Sequence, residues 1–173
     1  MSRRWSSYCK SGKEIEMKDQ KLIENGFTWV PPEKRKSRFG GTVSPRIPEA
    51  RLPMLWLARD GHELYLVNNS GATLDVVTAG TGGFQTVDDQ VAIIDSREVY
   101  QYIGVSQGSS VKVDEYDICD SDFVLQMFLK IKSENFGLIE IRLPATKGGG
   151  KEMVLLWDSG EPGEKVQIEK IEQ

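Results

Sequence analysis

The chain has 173 residues, of which 39% are hydrophobic and 28% are charged, and its formal net charge is −4 at pH 7. This composition is ordinary for a folded globular protein and excludes a collagen-like, fully disordered or membrane-embedded chain. At this length, one domain with an appendage is favoured over two domains.

The charge is distributed unevenly along the chain. Residues 1–53 contain 12 Lys and Arg against 6 Asp and Glu, whereas the remainder contains 10 against 20. We therefore predict a basic N-terminal arm, residues 1–52, followed by an acidic domain, residues 53–173. A basic arm on an acidic domain either reaches an anionic partner or folds back on its own domain.

The arm is predicted to be extended or partly helical. Ile15, Leu22 and Ile23 form a thin apolar stripe, and Gly26 can act as a C-cap, so the pattern is compatible with a short helix at 12–25. The prolines that follow remove backbone donors and favour an extended, linker-like chain.

The domain begins with a predicted hairpin. Leu55–Arg59 and His62–Asn68 are rich in strand-forming residues and flank Asp60-Gly61, the type of two-residue loop that joins hairpin strands. The turn residues 68–71 then lead into a third strand at 73–78. These three strands are expected to form a meander.

Further candidate strands follow at the spacing of roughly 8 to 12 residues that is typical of a sandwich or barrel. They are 90–95, 98–105, 110–116, 123–132, 137–143, 152–157 and 165–171. Segment 123–132 also fits helical spacing, but the turn residues directly after it favour a strand. We therefore predict an antiparallel all-β domain, an immunoglobulin-like two-sheet sandwich, with a closed β-barrel as the alternative.

The catalytic motifs are weak. His62 is the only histidine, which excludes mechanisms and metal sites that need two. Gly104-Val-Ser-Gln-Gly108 matches the G-x-S-x-G nucleophile elbow, but a β-rich run follows it, so we predict a hairpin loop. The glycine-rich stretches 78–84 and 147–151 lack the ending of a phosphate-binding loop and are expected to connect strands. We predict no catalytic residues and no cofactor.

An acidic stretch after residue 113 is the candidate metal site, because calcium prefers several carboxylate oxygens that converge from one loop. Its predicted ligands are Asp114, Asp117, Asp120 and Asp122. The stretch lacks the EF-hand spacing, and a solvated acidic loop is the alternative.

The arm supplies the candidate partner-binding residues, because it combines basic charge with aromatic faces. They are Trp29, Lys34, Arg35, Lys36, Arg38 and Phe39. Such a set can contact protein or nucleic acid. The acidic domain opposes a polyanion, so a protein partner is favoured.

The expected function is therefore a non-enzymatic protein-binding module that uses sandwich loops or a free strand edge together with the arm. One alternative is a nucleic-acid-binding accessory protein that uses the arm. The other is a calcium-dependent ligand binder or enzyme that uses the acidic stretch. We also predict a cytoplasmic protein without membrane contact. The sequence has two widely separated cysteines, no signal-like apolar segment and no membrane-spanning run.

Overall fold

The computed structural model describes residues 18–36, 39–40, 47–87, 90–116 and 121–172. These residues form strands and one 3-10 turn, Pro32–Lys34, and none of them lies in an α-helix. The strands are β1 (Leu22–Glu24), β2 (Pro53–Asp60), β3 (Glu63–Asn68), β4 (Leu74–Val87), β5 (Gln90–Val105), β6 (Ser109–Glu115), β7 (Val124–Ser133), β8 (Gly137–Arg142), β9 (Thr146–Lys147), β10 (Met153–Trp157) and β11 (Gln167–Lys170). Across these ranges, no helix has the length and apolar character needed to cross a membrane.

The strands form two antiparallel sheets. Sheet 1 has the order β1-β6-β3-β2-β10, and sheet 2 has the order β11-β8-β7-β4-β5, with β9 paired to β7. The prediction of an all-β, sandwich-like domain is confirmed. The closed barrel is wrong, because each sheet ends in edge strands that do not pair with each other.

The main core lies between the two sheets. Strand β7 shows how the sequence builds it, since its residues alternate between buried and more exposed positions. The inward-facing residues Leu129 and Ile131 join Leu57 and Leu66 of sheet 1 in one apolar cluster. This period of two is the signature of a strand, so the preference for a strand over a helix at 123–132 is confirmed.

The predicted β2–β3 hairpin is confirmed, but the meander is wrong. Strand β3 pairs with β2 and β6, while β4 belongs to sheet 2. The buried Asn68 side chain determines this crossing: its Nδ2 donates to Ala72 O at 2.8 Å and to Val105 O at 3.0 Å, and its Oδ1 accepts from Ser70 N at 3.1 Å. The turn is therefore tied to the end of β5 and directs the chain into the other sheet.

The prediction that the glycine-rich stretch 78–84 connects two strands is wrong. These residues form the middle of β4. The β4 ladder has register shifts between Ala79 and Gly80 and between Thr81 and Gly83, where β-bulges bend the strand. A Cβ at Gly83 would lie 2.3 Å from the Val124 carbonyl oxygen. Glycine is needed there because β4 and β7 approach closely.

The other glycine-containing motifs are loops. Residues 148–151 follow β9 as expected. Ser106 lies in the connection from β5 to β6, and its Oγ is 2.9 Å from Ser109 Oγ. This connection joins the two sheets, so it is a loop but not the predicted hairpin.

The helix predicted at 12–25 is wrong over residues 18–25, and 12–17 lie outside the described residues. Leu22–Glu24 forms β1 and pairs with β6. Lys112 N donates to Lys21 O at 3.0 Å, and Asn25 N donates to Gly108 O at 3.2 Å. A thin apolar stripe gives little helical stability, so backbone pairing with the domain prevails.

Replacing Gly83 with alanine is expected to lower the free energy of unfolding by about 1–3 kcal/mol, because the added methyl group forces β4 and β7 apart. Thr81→Ala, on the same strand, is the matched control and should cost less than about 1 kcal/mol. Urea denaturation followed by circular dichroism measures both. A Gly83→Ala protein as stable as the wild type would contradict the close approach of the strands.

Candidate functional site

Residues 18–36, called the strap below, lie across the outer face of sheet 1. The strap begins beside β6, where β1 pairs with it. Phe27 then contacts Tyr65 of β3, with ring centroids 5.2 Å apart. Trp29 reaches Trp56 of β2 and Trp157 of β10. The strap therefore forms the edge strand β1 itself and then crosses the outer face of the sheet toward the other edge strand, β10.

The outer face of sheet 1 is apolar, which explains why the strap covers it. Trp56, Val67, Val154 and Trp157 belong to a second buried cluster, against which Phe27 and Trp29 pack. The sequence carries a signal for this arrangement: residues 54–58 and 64–67 are continuous apolar runs, which are typical of strands buried on both faces.

Trp29 is the centre of the contact between strap and sheet. Its ring meets Trp56 at 5.3 Å and Trp157 at 5.9 Å, both edge to face. The Arg35 guanidinium lies 4.8 Å from the Trp29 ring centroid, and Arg35 Nε donates to Val30 O at 2.9 Å. Edge-to-face pairs and cation–π contacts each contribute about 0.5–1.5 kcal/mol, so the strap is held by several moderate interactions.

The indole N–H group of the same tryptophan is not satisfied by the residues that the structure describes. Its Nε1 atom is buried and has no hydrogen-bond partner within the described parts of the chain. An unpaired buried donor costs about 1–3 kcal/mol. The strap therefore binds its own domain less tightly than its aromatic contacts alone would allow.

An ion-pair network around the buried Lys112 anchors the start of the strap. Lys112 of β6 is only 2% exposed, and its Nζ lies 3.0 Å from Glu63 Oε1 and 2.8 Å from Glu115 Oε2. Lys21 of the strap forms an ion pair with the same Glu63 oxygen, and Tyr65 OH donates to the other at 2.7 Å. The hydrogen bonds from Lys21 and then from Tyr65 lower the pKa of Glu63 to about 2.

One hydroxyl group connects the strap to sheet 2. Tyr102 OH accepts from Lys21 N at 3.2 Å and donates to Lys112 O at 2.6 Å. Tyr102 belongs to β5, so this phenol joins β5, β6 and the strap. Burial raises the pKa of the Tyr102 phenol.

The predicted partner-binding residues separate into two groups. Trp29 packs on the protein's own domain, and Arg35 contacts Trp29 and Val30 within the strap. Lys34 and Lys36 are exposed, and Phe39 is 96% exposed, whereas Arg38 lies outside the described residues. The arm also contributes five of the seven large apolar side chains that are exposed in the described ranges. These are Leu22, Val30, Phe39, Ile47 and Leu52.

The predicted calcium ligands can be located only in part. Asp114 Oδ1 accepts from Glu115 N at 2.9 Å, and exposed Asp122 lies 3.5 Å from Lys147 Nζ. Asp117 and Asp120 lie outside the described residues. Within the ranges that are described, no three His, Cys, Asp or Glu side chains form a metal-binding group. The calcium site stays a prediction.

The longest edge strand among the described residues was not predicted, because 90–95 and 98–105 have the patterns of two separate strands. They form the single strand β5 of 16 residues, which is the last strand of sheet 2. Among the described strands, only β4 pairs with it. Residues 85–87 of β4 pair with 90–92 of β5 beyond Phe84, the last β4 residue that pairs with β7. The end of this hairpin therefore extends beyond the sheet.

The surface near the C-terminal end of β5 is apolar. Ile103 is 79% exposed, and it pairs with half-buried Val76 of β4 on the outer face of sheet 2. Natural proteins usually protect a long edge strand with charges, prolines or a covering element. Within the described ranges, no second strand pairs with β5, so this long edge is a candidate interaction site.

Comparisons of this chain with protein-family models, curated proteins and solved structures found no match.

Trp29→Ala is expected to lower the free energy of unfolding by about 2–3 kcal/mol, because it removes two aromatic contacts and one cation–π contact. Phe39→Ala provides the control, since both residues are aromatic side chains of the arm but Phe39 is exposed. It should change stability by less than about 0.5 kcal/mol. Chemical denaturation monitored by tryptophan fluorescence and circular dichroism compares them. Equal effects would show that the strap does not stabilise the domain.

Glu63→Gln is expected to destabilise the protein at pH 7 by about 2 kcal/mol, because it replaces a charged hydrogen-bond acceptor. The folded protein lowers the pKa of Glu63 from 4.5 to about 2. The carboxylate therefore contributes its full stabilisation above pH 4.5 and loses it as the pH falls toward 2.

The free energy of unfolding, measured in urea between pH 7 and pH 2.5, should show the difference between the two proteins shrinking across this window. Glu134→Gln, in the exposed turn between β7 and β8, controls for general acid effects. A difference that stays constant with pH would rule out the role of the Glu63 charge.

Proposed function

We propose that the protein is a non-enzymatic, cytoplasmic protein-binding module that adds an extended segment of a partner protein to the edge of β5. The observation that carries the proposal is the 16-residue edge strand with exposed Ile103. In strand addition, main-chain hydrogen bonds supply affinity, and side chains at alternate positions supply specificity. Sandwich domains, immunoglobulin-like ones among them, offer edges suited to this mode of binding.

Comparison of the four edge strands favours β5 as the acceptor. The others are β1 with 3 residues, β11 with 4 and β10 with 5. A strand of ordinary length has about 5 or 6 residues. Strand β5, with 16 residues, is long enough to pair with a full incoming strand.

The outer surface of the arm supports a protein partner rather than nucleic acid. Lys34, Lys36 and Phe39 combine positive charge with an exposed apolar ring. This surface is complementary to an acidic protein segment with apolar side chains. The excess of acidic residues after residue 53 repels a polyanion, so we propose the arm as an additional contact for a protein partner.

His62 and Ser106, the residues considered for catalysis, both make contacts within the protein. His62 stacks on Tyr116 with ring centroids 6.0 Å apart, and Ser106 hydrogen-bonds to Ser109. Nucleophilic catalysis by serine needs a base within hydrogen-bond reach of the hydroxyl group. These contacts give each residue a structural role instead.

Ile103→Lys is expected to abolish partner binding without unfolding the protein, because a charged side chain disfavours strand addition at an edge and the position is exposed. Gln167→Lys, exposed on the opposite edge strand β11 of the same sheet, is the matched control. Affinity capture from native extract, with nuclease present, should recover a stoichiometric partner with the wild type and Gln167→Lys. Recovery with Ile103→Lys should fall at least tenfold.

Hydrogen exchange on the purified complex should then show protection of β5 amides. Equal recovery with Ile103→Lys would disprove binding at this edge. A partner that nuclease releases would instead indicate nucleic-acid binding through the arm. Light scattering tests for self-association. If the wild type self-associates with increasing concentration and Ile103→Lys does not, the molecule bound at β5 is a second copy of this chain.

A further inference from the structure

We infer that the outer face of sheet 1 is a second protein-binding site, which the strap occupies as an internal ligand. The occupant that displaces the strap is an extended segment of a partner protein with the strap's own chemistry. That chemistry is an aromatic pair at alternate positions, followed by proline and arginine. This site is separate from the edge of β5, so the inference does not depend on the proposed function.

The strap itself defines what the site recognises. Phe27 and Trp29 stand two residues apart in an extended chain, so both side chains can point toward the sheet. One ring contacts Tyr65, and the other contacts Trp56 and Trp157. The guanidinium group of Arg35 lies over the Trp29 ring. A competing segment needs two aromatic side chains with this spacing.

Among the described residues, the backbone hydrogen bonds between strap and domain are concentrated at the start of the strap. Leu22–Glu24 pair with β6, Lys112 N donates to Lys21 O, and Asn25 N donates to Gly108 O. Residues 37–50 separate the strap from Arg51, which is held by Trp157 and Glu161, and a chain of this length can span about 45 Å when extended. The strap can therefore leave the sheet while β2 stays in place.

The internal ligand is also not optimal for its site. Trp29 Nε1 is buried without a partner among the residues that the structure describes, and Leu22 and Val30 remain 49% and 44% exposed. A segment with phenylalanine in place of Trp29 keeps an aromatic contact and carries no unpaired N–H group. Such a segment removes the desolvation cost that the strap bears.

The covalent connection compensates for this weakness in the free protein. A ligand that is covalently tethered beside its site acts at an effective concentration that reaches the millimolar range. An outside segment must compete against that concentration, so it should bind much more weakly while the strap stays attached. Cutting the connection should therefore reveal the site without removing any residue.

The test uses the full chain with a specific protease site placed between Gly40 and Gly41. The probe is a fluorescently labelled synthetic peptide of residues 18–36, and its binding is followed by fluorescence anisotropy. We expect it to bind the cut protein at least tenfold more tightly than the uncut protein. A peptide with Phe27→Ala and Trp29→Ala should bind the cut protein at least tenfold more weakly. A Trp29→Phe peptide should bind at least as tightly as the unchanged one.

Several results would overturn the inference. Absent binding, or equal binding to cut and uncut protein, would show that the peptide does not use the strap's site. Unfolding of the protein on cutting would show that the strap is an inseparable part of the domain. Much weaker binding of the Trp29→Phe peptide would show that the indole is required. Repeating the titration with Ile103→Lys protein should leave the affinity unchanged, which separates this site from β5.

Discussion

Sheet 1 is apolar on both faces, and this constraint organises much of the molecule. Its inner face packs on sheet 2 around Leu57 and Leu66, while Trp56 and Trp157 stand on the outer face. Burying apolar surface drives folding by about 25 cal/mol for each Å² removed from water. A face with two tryptophans therefore needs a cover, and the strap provides it. What the charge pattern marks as a separate arm completes the domain.

The polar groups of sheet 1 follow from the same arrangement. Because the strap covers the edge beside β6, Lys112 is nearly excluded from water, and a buried ammonium group must be paired. Glu63 and Glu115 supply the partners, and Lys21 adds a second cation to Glu63. The strap thus combines an aromatic contact near Trp29 with an ionic contact near its start, and the two fix its position along the sheet.

The sequence predicts those features that depend on local pattern. Alternation identified β7 as a strand, and Asp60-Gly61 located the β2–β3 turn. The path of the chain between the sheets depends on Asn68, whose distant acceptor Val105 O is invisible to local pattern. The glycines of β4 read as a loop, because their role is the close approach of β7 in space. At the candidate sites, charge identified the arm, but the burial of Trp29 requires knowing that a second tryptophan, Trp157, lies beneath it. The length of β5 was hidden because residues 90–95 and 98–105 read as two strands.

The phenol of Tyr102 couples the strap energetically to β5, because it hydrogen-bonds to the strap from a residue of that strand. Its oxygen accepts from Lys21 N and donates to Lys112 O, so movement of the strap breaks a hydrogen bond on the strand that forms the open edge of sheet 2. If segments bind at both proposed sites, this group links them, and each ligand changes the affinity of the other by the same factor. A single hydroxyl group thereby connects the strap-covered face of sheet 1 with the edge strand β5.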